Sequence, residues 1–147
     1  MVTRLNPYIT FGGNAREAME FYRTVFGGEL TVSTWAEQPD MPGNKPEMSD
    51  KVLHAMLTVS NSVAIMAADM PDHPGPKGSP ISVSVSGEDE DELRGWWDNI
   101  SDGAEITAAF EKAPWGDIFG MCVDRFGVQW LVNVAGDQGL TQSRSCT

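Results

Sequence analysis

Few side chains in this sequence can do chemistry at neutral pH, and they are scattered along it. The only two histidines are His54 and His73. Imidazole is the side chain that exchanges protons near neutrality. His54 lies in the apolar run 52–59 and is a candidate for proton transfer or for a hydrogen bond to a bound molecule. His73 sits among prolines and glycines and is expected to be exposed. Metal ligation needs partners at fixed spacing, and no HxH, HxxxH or HExxH pattern occurs. Cys122 and Cys146, the only two cysteines, make neither a disulfide framework nor a zinc site. Ser82 and Ser84 have no base beside them in the sequence, which speaks against a serine nucleophile. Asp117, in the run Trp115-Gly116-Asp117, could act as a base, orient His54, or be a surface carboxylate. What remains is suited to recognition: the Tyr8 hydroxyl, the flat face and single donor of Trp115, and the adaptable thioethers of Met56 and Met66.

The elements that must position these groups are written twice. Residues 6–11 alternate and are rich in β-formers, as do residues 81–86 at an offset of 74. The same offset carries Met19, Tyr22 and Phe26 onto Leu93, Trp96 and Ile100. It slips to 76 where Glu29-Leu30-Thr31 meets Glu105-Ile106-Thr107, and becomes 65 where residues 63–67 meet 128–132. In the first half, Asn14 with Glu17 three residues on predicts a capping box. Ala15, Ala18, Met19, Tyr22, Val25 and Phe26 have the spacing of one helix face, and Gly27-Gly28 predicts its end. Strands are expected over 29–35, 52–59 and 63–68. In the second half the acids of 88–92 suit a helix N-terminus. Leu93, Trp96, Trp97 and Ile100 form its apolar face, and strands follow over 105–111, 119–124 and 128–134, with a tight turn at Asp124-Arg125-Phe126-Gly127. The order is β-α-β-β-β, twice. Residues 37–49, with three prolines, and 70–80, with four prolines and two glycines, read as loops, and 135–147 as a polar tail.

Strand parity then sorts the faces. Pro7, Ile9, Phe11, Leu53, Ala55, Leu57 and Val59 face the first helix, and Ile81, Val83, Val85, Trp130, Val132 and Val134 face the second. The opposite faces hold Tyr8, Thr10, His54, Met56, Thr58, Ala64 and Met66, and Ser82, Ser84, Gln129, Leu131 and Asn133. That mixture is too apolar for an open, water-facing sheet and too polar for a sealed core, and it suits a cleft for a small organic molecule. An ordinary solvated sheet face and a dimer interface are the other two readings.

Composition narrows the partners. The chain has 147 residues, 41% hydrophobic and 21% charged, which fits one globular domain and not a disordered or fibrous chain. A formal net charge of −11 makes nucleic acid and an anionic membrane surface poor partners. No apolar run is long enough to span a bilayer, and the N-terminus lacks the pattern of a secretory signal. With its few cysteines, a reducing cytoplasm is the expected location.

Four strings, in order over residues 6–134, carry a family resemblance. They are Asn6-Pro7-Tyr8-Ile9-Thr10-Phe11-Gly12-Gly13-Asn14-Ala15, Asp50-Lys51-Val52-Leu53-His54-Ala55, Trp115-Gly116-Asp117-Ile118-Phe119-Gly120-Met121, and Asp124 through Val134. Together they resemble the vicinal oxygen chelate superfamily (glyoxalase, bleomycin resistance, extradiol dioxygenase), and within it the PhnB-like branch. Ile118 departs from it, standing where that branch would have a basic residue. The resemblance implies an α+β fold of two βαβββ modules, about 4–69 and about 80–134, forming a curved mixed sheet around a cavity within one domain. It also implies a homodimer, with modules possibly exchanged between chains. Some relatives carry a ubiquinone-pathway methyltransferase label. No GxGxxG turn for a nucleotide-like cofactor is present here to support it, and no cofactor is expected.

In metal-using members of the superfamily, the first and last strands of each module each supply a His, Glu or Gln ligand to a divalent ion that acts as a Lewis acid. The matching positions here are Asn6, Pro7 and Tyr8, Pro80 and Ser82, Met66, and Leu131, with Gln129 nearby. Proline and leucine have no ligand atom on the side chain, a thioether favours soft ions, and Tyr8 and Gln129 alone cannot make three or four ligands, so the usual metal site is expected to be absent. The resulting expectation is a protein that binds an unidentified small organic molecule in a mostly apolar cavity. Tyr8, Thr10, Trp35, His54, Met56, Met66, Ser82, Ser84, Trp115, Asp117, Phe119, Gln129 and Leu131 are its candidate ligand-binding residues. Trp35 could line that cavity or a dimer contact, and Trp115 could close over a ligand or pack the far end of the barrel. A metal-dependent lyase, isomerase or dioxygenase, and a structural homodimer without ligand, are the alternatives.

Overall fold

Each β-α-β-β-β run forms its own four-stranded sheet with one helix in a computed structural model of the chain, which describes residues 3–136. The first unit ends at Lys77 and the second begins at Gly78. In the first, β1 (Tyr8–Phe11), α1 (Ala15–Phe26), β2 (Glu29–Thr34), β3 (Val52–Thr58) and β4 (Ala64–Asp69) give the strand order β1-β4-β3-β2. In the second, β5 (Ser82–Gly87), α2 (Glu90–Ile100), β6 (Glu105–Lys112), β7 (Ile118–Val123) and β8 (Gln129–Val134) give β5-β8-β7-β6. In each unit the first strand pairs parallel with the last, and the other pairs are antiparallel. The parallel pair follows from placing a helix between its first strand and the hairpin that returns beside it. Among the described residues, no helix is long and apolar enough to cross a membrane.

Apolar burial against one sheet face holds each helix. Ala18, Met19, Tyr22, Val25 and Phe26 of α1 are buried, as are Phe11, Ala55, Leu57 and Ala67 of the sheet beneath. In the second unit Leu93, Trp97 and Ile100 of α2 are buried, with Trp130, Val132 and Cys122 on the strands. Fully burying a large apolar side chain is worth about 1.5–3 kcal/mol, so these faces dominate the stability of each unit. Trp96, expected on the buried face, is only half-buried, and Ile81, expected under α2, lies before β5 and is 73% exposed.

The start of α1 is held differently from the expected capping box. The Asn14 side chain makes no capping hydrogen bond. Asp69, at the end of β4, accepts instead: its Oδ1 takes the N–H of Gly13 (2.9 Å) and of Ala15 (3.0 Å), and its Oδ2 the N–H of Val52 (3.0 Å). A buried carboxylate satisfies donors at a helix N-terminus, where the macrodipole favours negative charge. The start of α2 is local, with Asp89 Oδ1 accepting from the N–H of Glu92 at 3.1 Å. Helix α1 ends as expected at Gly27, whose φ is +76° and whose N–H reaches Arg23 O at 2.8 Å.

The repeat is real, and its register differs at one end. Met56 stands opposite Met66 and Met121 opposite Leu131, which is the expected offset of 65. Tyr8 stands opposite Met66 and Ser84 opposite Leu131, so the first strands are offset by 76 and not by 74. A slip of two keeps parity, so the face assignments survive it.

Candidate functional site

The face of the first sheet away from α1 is built by cross-strand register. Tyr8, Met66, Met56 and Thr31 form one row across β1, β4, β3 and β2. Thr10 lies opposite Ala68, and His54 opposite Ser33, on the same face. Tyr8 is half exposed, and Thr10, His54, Met56 and Met66 are half-buried. The Tyr8 and His54 rings are 5.9 Å apart and tilted by 36°, the spacing of an aromatic pair. A phenol, an imidazole and two thioethers thus share one surface. Ala64, expected there, is buried.

The equivalent face of the second sheet carries Ser84, Leu131, Met121 and Ala108 in one row and Ser86, Asn133, Phe119 and Glu111 in another. Gln129 is tied down at the end of this face. Its Oε1 accepts from Ser82 Oγ at 3.1 Å, and its Nε2 donates to the Ser79 carbonyl. An amide oxygen takes no proton, so Ser82 has no base in Gln129. In the β6–β7 loop Trp115 is half exposed and meets Phe119 edge-on at 5.9 Å.

Two candidates occupy other places than a ligand surface would need. Trp35 opens a short 3-10 turn (Trp35–Glu37), is 1% exposed, and donates its indole N–H to the Asp69 carbonyl at 3.0 Å. It is a core side chain of the first unit. Asp117 is not a free surface carboxylate, because Asn133 Nδ2 (3.1 Å) and the Gly136 N–H (2.9 Å) donate to its two oxygens. It fixes the loop that carries Trp115.

Sequence reasoning missed Met121 and Asp69. Parity alone finds Met121 once β7 is placed opposite Leu131. Asp69 had no local signal, because the amides it accepts from are up to 56 residues away in sequence. Parity places Leu53 on the helix side, yet Val52 is the buried residue there. β3 bulges between them, so that Ser33 and Thr34 pair with His54 and Val52 and skip Leu53.

The positions where metal-using relatives place ligands fit a hard divalent ion poorly. Tyr8 with Met66, and Ser84 with Leu131, are the first-strand and last-strand pairs. Hard ions take oxygen donors such as carboxylates, and imidazole suits borderline ions such as Zn and Ni; a leucine side chain offers neither, and a thioether is soft. Among the described residues no three His, Cys, Asp or Glu side chains gather where they could hold a metal ion.

The family description Glyoxalase/Bleomycin resistance protein/Dioxygenase superfamily matches residues 4–132. Protein YjdN of Escherichia coli (strain K12) is 27% identical over 143 residues, covering 91% of this chain and 97% of that protein. The crystal structure of protein PA1353 from Pseudomonas aeruginosa is similar at 31% identity and a TM-score of 0.76, over 90% of this chain and 98% of that one. A Bacillus cereus structure titled "Putative 3-demethylubiquinone-9 3-methyltransferase, PhnB protein" shares the fold at 24% identity and a TM-score of 0.71, over 90% of this chain and all of that one.

Proposed function

The chain belongs to the Glyoxalase/Bleomycin resistance protein/Dioxygenase superfamily, and on that premise we propose that it binds a small organic molecule on the helix-free face of its first sheet, without the superfamily's divalent metal. The observation that carries this is the row Tyr8–Met66–Met56 with His54 beside it. Apolar surface with a few placed polar groups is the makeup of small-molecule sites. The thioethers can adapt to a flat apolar body, while the Tyr8 hydroxyl and the His54 imidazole fix its orientation. A net charge of −11 favours a neutral or cationic ligand over an anion. Ser84, Phe119 and Leu131 on the second sheet, with Trp115 beside Phe119, offer a further apolar surface of the same kind.

A panel of neutral and cationic aromatic compounds, read by thermal shift and then by calorimetry, tests the reading. Compounds that raise the melting temperature are expected to bind Tyr8→Phe about 3- to 10-fold more weakly, the worth of one hydrogen bond, with the fold unchanged by circular dichroism. Binding that Tyr8→Phe and Met66→Ala both leave untouched places the site elsewhere.

A further inference from the structure

Two thioethers and an imidazole stand on neighbouring register positions of the open face of the first sheet. Met56 and Met66 stand directly opposite each other in the antiparallel register of β3 and β4. Opposite residues carry Cβ atoms about 4.5–5.5 Å apart, and the three rotatable bonds of methionine allow both sulfurs to reach one point. His54 lies two residues before Met56 on the same strand face and is therefore diagonal to Met66, within about 7–8 Å, a span that long side chains cross. All three are half-buried, so an ion could enter yet be partly shielded from water. The repeat supplies an internal comparison. The equivalent positions of the second unit hold Met121, Leu131 and Phe119, with one thioether and no imidazole. The three-donor set is particular to the first unit.

We propose that Met56, Met66 and His54 form a binding site for a soft monovalent cation of the Cu(I) class. Thioether and imidazole donors suit Cu(I), which hard divalent ions do not match in preference. All three ligands are neutral when bound, so the site keeps the ion's positive charge, which an acidic chain favours. This site does not depend on the organic-ligand reading, although it uses part of the same surface.

The test is a titration of the chain, with Cys146→Ser to remove one of its two thiols, with Ag(I) as a soft ion that resists air oxidation. Methionine methyl groups are labelled and assigned by the single variants Met56→Leu and Met66→Leu. The expected result is that the first equivalent shifts the Met56 and Met66 methyl resonances and the His54 ring signals while Met121 stays in place. The Met56→Leu/Met66→Leu double variant is expected to bind at least about tenfold more weakly. If Ag(I) leaves both methyl resonances unmoved, whether it binds elsewhere or not at all, the proposal is overturned. Equal affinity in the double variant overturns it as well. The parent chain alone decides the first point, so a poorly folded variant does not blunt the test.

Discussion

Asp69 has a carboxylate that accepts backbone N–H groups from the start of α1 and from β3, at 1% exposure. Removing its charge leaves those donors underpaired away from water, so Asp69→Asn is expected to lower stability in urea by about 2–4 kcal/mol. Asn14→Ala should cost no more than about 0.5 kcal/mol, since its side chain caps nothing. Equal losses in the two variants would restore the local cap read from the sequence. Asp124 has a parallel role in the second unit. It accepts from the N–H groups of Phe126 (2.8 Å) and Val128 (3.0 Å) and from the Trp130 indole (2.8 Å). Its negative charge also acts on Cys122. Burial first, and Asp124 second, raise that thiol from 9.0 to about 11. The folded chain therefore keeps the proton that the unfolded chain releases near pH 9. Stability from this group is complete below pH 9 and is lost as the pH climbs toward 11. Cys122 in the folded protein should stay unmodified by a thiol reagent at pH 8 over a time in which the urea-unfolded chain reacts fully. Tyr8, His54, Met56 and Met66 were legible at this scale because strand parity is a local property. The partners of Asp69 were not, because nothing near it in sequence names them.

The strands and helices were legible nearly throughout, since alternation and helical spacing are written in consecutive residues. Irregularities were not. The bulge at Leu53 and the register shifts of β6 between Ile106 and Glu111 depend on pairing across strands. Trp35 reads from the sequence as a strand end lining a cavity or a dimer contact, whereas its residue begins a 3-10 turn that folds the ring inward. The buried Met48, within the expected loop 37–49, follows from the short turn Pro46–Met48. Glycines divide by geometry. Gly95 lies inside α2 with open space where a Cβ would go, so Gly95→Ala should stabilise the protein by about 0.5–1 kcal/mol. Gly28, at φ +97°, would drive a Cβ into the Thr58 carbonyl, and Gly28→Ala should cost more than about 2 kcal/mol. Thermal or urea melts of the two variants check both signs.

At the scale of the molecule, duplication and superfamily were both readable, because the repeated β-α-β-β-β order and the strings over 6–134 span most of the chain. The register of the first strands was not, because an offset of 74 and one of 76 give the same face pattern. We propose, from the resemblance to PhnB-like proteins, that the chain forms a homodimer. Sedimentation at micromolar concentration should give about twice 16.0 kDa, and a 16.0 kDa species would contradict it. On the proposed function, the surface of Tyr8, His54, Met56 and Met66 receives the organic ligand. The most direct test is chemical-shift mapping of the whole chain with the tightest compound from the aromatic panel. The largest shifts are expected at the Tyr8 and His54 rings and the Met56 and Met66 methyl groups. Shifts confined to other residues, with these four signals unmoved at saturation, would contradict it.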